Sequence, residues 1–347
     1  MASGGVNDVL GVRWPIIQAP MAGQAASPEL VAAVSNAGGL GSLGAGYMSP
    51  QQIAEAVARI RQLTDRPFNI NLFMVEFPPA PPDVSAAIRM LEPFHVELGL
   101  PAPVVPPLKS SFAEQVRAIL DARVPIFSFT FGVPDGEILR TFRAQGTKVL
   151  GTATTVQEGK ILEAAGVDGV VAQGSEAGAH RGTFAVPFEQ GMVPTLALVP
   201  QLARAVRVPV IASGGIMDGR GIRAALDLGA TGVQMGTAFL VCPEAGIPEA
   251  YRRAILSATD DCTEITCAFS GRPARGIRNR FMLAGAAQPE ALLPYPWQNN
   301  LTGAMRAAAA KAGNPEMLSL WAGQSAPMAR PMPAADLVRT LAEEAGL

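Results

Sequence analysis

The 347-residue sequence predicts a (β/α)8 TIM barrel carrying an additional, mostly helical lobe after strand 8. Two observations lead there. Short β-rich runs alternate with amphipathic helical stretches, the mark of right-handed βαβ crossovers and a parallel sheet. Eight such units fall within the first 240 residues, enough to close the sheet on itself, with an open doubly wound sheet as the alternative.

Taken in order, the strand candidates begin with PIIQAP, followed by an Ala-rich helix from Pro28 to Asn36. GLGSL precedes a helix from Pro50 to Gln62, and FNINLF is the third strand. PIFSFTF, KVLGTAT, GVVAQG, VPVIAS and GVQMGT complete the set. In AAGVDGVV and DLGATGVQM a glycine directly after a helical run reads as a C-cap before the next strand. From Glu76 to Pro107 the chain is proline-dense, an excursion following strand 3. Between Val241 and Gly323 the strand pattern ceases, which suggests a lobe over the barrel mouth, and Ala334 to Ala345 is helical again. The expected division is residues 1–240 with 324–347 as the barrel and 241–323 as a substrate-side lobe.

Composition narrows the function. Half the residues are apolar and the net charge is −2, so the basic excess of a nucleic-acid binder is lacking and a small-molecule partner fits better. No apolar run is free enough of charge and proline to span a membrane, and MASGGVNDVL lacks the pattern of a signal peptide, so a cytoplasmic protein is expected. Three cysteines without C-x-x-C spacing read as reduced thiols, and two histidines are too few for a dedicated zinc site. No metal is expected.

In a barrel, catalytic groups gather at the C-terminal strand ends, and phosphate sites recur after the last two strands. PVIASGGI leaves its strand through Ser213, Gly214 and Gly215, and VQMGTAFL through Gly236 and Thr237. Missing side chains there let backbone N–H groups approach a phosphate. Either turn alone is equally well a tight βα connection; two in succession favour a phosphate. GLGSLG, from Gly39 to Gly44, matches the dinucleotide pattern G-x-G-x-x-G but overlaps strand 2 instead of following it, so a Rossmann reading ranks second. After strand 6, VVAQGSEAGAHRGTF sets His180 on a glycine-rich loop, a fitting place for a general base, whereas His95 lacks such a setting and reads as structural.

In combination, PIIQAPMAG, NINLF, GSEAGAHRGTF, PVIASGGI, QMGTAFL and the late WAGQ resemble the nitronate monooxygenases, formerly called 2-nitropropane dioxygenases. The resemblance implies an FMN-dependent oxidoreductase. It assigns the flavin to Pro20, Met21 and Ala22, to Asn71, and to Gln173 and Gly178. Its phosphate falls to Ser213, Gly214 and Gly215 with Gln234, Met235, Gly236 and Thr237. His180 is implied as the base toward a neutral nitroalkane or as the anchor of a nitronate such as propionate 3-nitronate. Oxygen is the co-substrate, and the products are a carbonyl compound and nitrite. A monomer or homodimer is expected. A flavin-dependent enoyl-[acyl carrier protein] reductase and an NAD(P)H:quinone reductase look similar and stay as alternatives, as does a flavin-binding sensor without catalysis. The Arg272–Arg280 group reads mainly as a partly solvated loop, Trp297 as an anchor of the lobe, and Trp321 as either cap or anchor.

Overall fold

The computed structural model describes residues 5–75, 78–108 and 112–347. The start of the proline-rich excursion at Glu76, and the first four residues of the N-terminal stretch, lie outside those residues. The eight expected strands all form: β1 (Ile16–Gln18), β2 (Gly41–Gly44), β3 (Phe68–Phe73), β4 (Ile126–Thr130), β5 (Lys148–Ala153), β6 (Gly169–Gln173), then β8 (Val210–Ser213) and β9 (Gly232–Met235). A short β7 (Ala179–His180) intervenes in the chain but lies outside the barrel.

The eight strands run parallel in the order β1-β9-β8-β6-β5-β4-β3-β2. Closure comes from two backbone bonds, Gln18 N–H to Leu40 O and Leu40 N–H to Ile16 O, each 2.9 Å. The sheet is therefore a barrel and not an open doubly wound layer. The glycines of GLGSLG sit in its wall: a Cβ on Gly41 would lie 2.0 Å from Val31 O, so that glycine serves close helix–strand packing.

Side-chain caps start the outer helices where the sequence changes from turn to apolar periodicity. Ser49 accepts from Gln52 N–H while the Gln52 side chain returns to Ser49 N–H, a capping box opening helix Pro50–Leu63. Helix Pro28–Asn36 has the predicted bounds and is capped by Ser27. The final helix, Ala334–Glu344, buries Leu337, Val338 and Leu341 in the cluster shared with helices Pro28–Asn36 and Gly219–Asp227. At the N-terminal end of the barrel, helix Val6–Leu10 presents Val6 and Leu10 to Ile17, Leu40, Ile126, Leu150, Val171 and Ile211, which makes that end a packed apolar floor.

The expectation that strands cease after Val241 is corrected by two of them. β10 (Thr263–Thr266) and β11 (Ala274–Ile277) pair antiparallel, and β11 continues onto β7, with Ala274 opposite His180. Four residues each, in an Arg- and Gly-bearing run, are too few to show the alternation that marks a strand. The rest of this region is helices joined by loops, and its side chains share a core with helix Ser85–Glu97 of the excursion, where Phe94 meets Phe281 at 5.1 Å between ring centres.

Candidate active site

A cavity of about 1650 Å³ opens where the barrel strands end and the small β7/β10/β11 sheet crosses above them. Pockets for one small ligand measure roughly 300–1000 Å³, so this one has room for more than a single small substrate. Every residue assigned to the flavin or to catalysis by the sequence lines it: Pro20, Met21, Ala22, Asn71, Gln173, Gly178, His180, Ser213, Gly214, Gly215, Gln234, Met235, Gly236 and Thr237.

At one end the chain leaves β8 through Gly214 and Gly215, at φ +116° and +75°, a backbone form that other residues adopt only under strain. A Cβ on Gly214 would lie 3.0 Å from both Ala177 N and Thr195 Oγ1. Among the described residues, the Gly215 and Ile216 N–H groups donate to no protein acceptor, which is the state of a backbone cradle for an anion. The late WAGQS stretch closes over this end: Gly323 N–H donates to Thr237 Oγ1 at 3.0 Å and Ser325 Oγ to Gly215 O at 2.9 Å.

Polar side chains form a layer inside the barrel between this cradle and the apolar floor. Asn69 and Asn71, both buried, donate through Nδ2 to Ser128 Oγ at 2.9 Å. Gln173 is engaged with its own loop, its Nε2 donating to His180 O at 3.0 Å and its Oε1 accepting from Gly182 N–H at 2.7 Å. It holds the histidine loop to the end of β6.

His180 itself stands in an aromatic box. The rings of Trp321, Phe131, Tyr295 and Phe73 centre 5.5, 5.9, 5.9 and 6.4 Å from the imidazole. Its Nε2 lies 2.8 Å from Ser270 Oγ. Burial among those rings, followed by the Arg272 and Arg306 charges, pushes its pKa down from 6.5 to about 3, so the ring is neutral at physiological pH. Two non-glycine residues at this end have positive φ, Ala179 at +62° and Phe131 at +80°, a strain of about 1–3 kcal/mol each that the surrounding packing holds in place.

The arginines divide. Arg272 is half-buried, stacks 3.9 Å above the Phe131 ring and donates to Thr183 O at 2.6 Å, and Arg275 is 7 % exposed and donates to Ser175 O. Arg278 and Arg280 face outward, paired with Glu264 and Glu97. The neighbouring Arg181 is 1 % exposed, its guanidinium spent on the carbonyls of Gln173, Gly174 and Gly191. Trp297 donates to Pro78 O at 3.2 Å and pins the lobe to the excursion, whereas Trp321 caps the cavity beside His180. Tyr47, Tyr295 and Arg306, which also line the cavity, carried no sequence signal, because Tyr47 follows β2 while Tyr295 and Arg306 come from the distant lobe.

Fold and site together define a (β/α)8-barrel enzyme with its cavity at the C-terminal strand ends. The family model for nitronate monooxygenase matches residues 6–344. A probable nitronate monooxygenase of Staphylococcus aureus strain Newman is 45% identical over 336 residues, 95% of this chain and 93% of the relative. The solved structure of a nitroalkane oxidase from Streptomyces ansochromogenes aligns with a TM-score of 0.92 at 41% identity, covering 99% of this chain and 98% of that one. FabK from Thermotoga maritima aligns at a TM-score of 0.80 and 31% identity, covering 99% and 96%. The chain belongs to the nitronate monooxygenase family, and it is an enzyme, an oxidoreductase of the flavin type. No helix among the described residues is long and apolar enough to cross a membrane.

Proposed function

We propose that the protein is an FMN-dependent nitronate monooxygenase that oxidises alkyl nitronates, propionate 3-nitronate among them, with oxygen to a carbonyl compound and nitrite. The observation that carries this reading is the meeting of two features in one cavity: an anion cradle at Gly214 and Gly215, and a neutral His180 under the field of Arg272 and Arg306. The cradle and the size of the cavity fit FMN. Ser213, Gly214 and Gly215 with Gln234, Met235, Gly236 and Thr237 would hold its phosphate. Pro20, Met21, Ala22, Asn71 and Gly178 would line the rest of the cofactor, and Gln173 would adjoin it while its amide secures the histidine loop. When bound, the flavin supplies the redox chemistry by which electrons pass from the nitronate to oxygen.

The protein's own part is to bind, orient and exclude water. Arg272 and Arg306 supply positive potential that favours an anion over its neutral conjugate acid. His180 is the group in hydrogen-bonding position toward that anion. An imidazole held near pKa 3 is a poor match for removing a proton from a neutral nitroalkane, because a general base works best with a pKa near the working pH. Of the two roles open to His180, anchoring the preformed nitronate is favoured. The Phe73, Phe131, Tyr295 and Trp321 rings exclude water from the reacting face. In this reading residues 1–240 with 324–347 form the flavin-holding barrel and 241–323 the substrate-side lobe, working in the cytoplasm as a monomer or homodimer.

The test is oxygen consumption by the FMN-loaded enzyme offered a nitroalkane as its nitronate or in its neutral form, ethyl nitronate against nitroethane, with propionate 3-nitronate run alongside. Faster turnover of the nitronate is expected. NAD(P)H oxidation without nitronate turnover would favour the reductase alternatives, and loss of neutral-substrate activity alone in His180→Asn would restore the base role.

A further inference from the structure

His180 presents its two ring nitrogens to different surroundings. Nε2 lies 2.8 Å from Ser270 Oγ. Nδ1 bonds to no protein group, is not among the buried unpartnered atoms of the described residues, and belongs to a ring that lines the cavity. The Ser270 hydroxyl has one proton and two acceptors within reach, His180 Nε2 at 2.8 Å and Arg272 O at 3.1 Å, while it accepts the Arg272 N–H at 3.3 Å. A neutral imidazole carries one N–H, so the direction of the hydroxyl proton settles which nitrogen bears it. Donation to Arg272 O would leave a bare Nδ1 lone pair facing the cavity, the form suited to a base. Donation to Nε2 turns an Nδ1–H toward the cavity, the form suited to an anion.

We propose that Ser270 is a positioning residue that donates to His180 Nε2 and so fixes the imidazole as an Nδ1–H donor toward an anionic substrate. The shorter of the two contacts is the one to Nε2. Arg306 lines the cavity and Arg272 lies behind it over the Phe131 ring, so both add positive potential that suits an anion, and an anion needs a donor opposite it. The inference rests on the nitronate reading of the same site and adds how His180 is set to serve it.

With two histidines in the sequence, ¹⁵N-histidine labelling of the FMN-loaded enzyme gives a spectrum that His180→Asn assigns by subtraction. His95 is an internal reference for a protonated Nδ1, since that atom lies 2.7 Å from Pro101 O, which can only accept. In the FMN-loaded enzyme without added anion, His180 is expected to show a protonated Nδ1 and a bare Nε2. In Ser270→Ala the proton moves substantially to Nε2, and KM for propionate 3-nitronate rises about tenfold, the size of one charge-assisted hydrogen bond, with kcat changing less. Ser270→Thr restores both readouts. A wild-type spectrum with Nε2 protonated, or a Ser270→Ala spectrum identical to wild type, overturns the proposal; should the alanine variant fail to fold, the wild-type spectrum decides. Failure of the flavin reading shows separately, as missing visible absorbance in the same sample, while the tautomer is still read there.

Discussion

The two ends of the cavity are built by opposite means. The glycine end comes from two short stretches of chain: Ser213 ends β8 with Gly214 and Gly215 after it, Gly236 and Thr237 follow β9, and local glycines set the turns. The histidine end is assembled from afar, with Phe73, Phe131, His180, Ser270, Tyr295 and Trp321 arriving from β3, β4, the β6 loop and the lobe. Under the proposed function, the barrel would supply a grip that many cofactor-binding barrels can share, and the loops and lobe around His180 would supply what is particular to the substrate.

That contrast predicts separable failures. The largest effect is expected from Gly214→Val, where strain at φ +116° and the contacts at 3.0 Å act together. About 1–3 kcal/mol of strain plus lost backbone approach should weaken FMN binding about a hundredfold in a fluorescence titration. Near-normal affinity would show that the cradle is not where the cofactor is held. His180→Asn should leave FMN affinity within about twofold and lower kcat/KM for the nitronate about ten- to a hundredfold, as expected when an anion loses a hydrogen-bonding partner. If instead the flavin is lost with the histidine, the two ends are one unit.

Acid stability sharpens the comparison further. Folding holds His180 below its ordinary 6.5, at about 3, so between those values the unfolded chain binds a proton that the folded one does not. The stability gained by keeping the ring neutral is full above about pH 6.5 and is lost as pH falls toward 3. Urea midpoints should drop over that window in the wild type and drop less in His180→Asn; parallel curves would contradict the burial argument. Trp321→Ala, which empties the cap beside His180 and Phe269, should cost about 2–3 kcal/mol of stability and raise the nitronate KM severalfold, read by denaturation and steady-state kinetics. Smallest of all, Trp297→Phe removes the bond to Pro78 O and should cost about 1 kcal/mol or less with turnover unchanged.

The same contrast explains what the sequence disclosed. β1 to β6, β8 and β9 were legible because short β-rich runs alternate with helical stretches, some of them closed by a glycine C-cap before the next strand. The glycine-bearing strand ends were legible because glycine after a strand has a local cause. His180 stood out for its glycine-rich loop, but its partners could not: Ser270 is ninety positions away and meets it only through the β7–β11 pairing. β10 and β11 were too short to show a period, and the Arg272 region looked solvated because four charges in nine residues usually are. Burial of Arg272 and Arg275 depends on the carbonyls of Thr183 and Ser175, which no spacing reveals.

The central claim is that one cavity holds a flavin and accepts a nitronate. It is tested most directly by the visible spectrum of the FMN-loaded protein after anaerobic addition of propionate 3-nitronate. The account predicts that the yellow absorbance bleaches on addition and returns with air. A protein that takes up no FMN, or whose flavin absorbance is untouched by the nitronate yet bleached by NADPH, would contradict it.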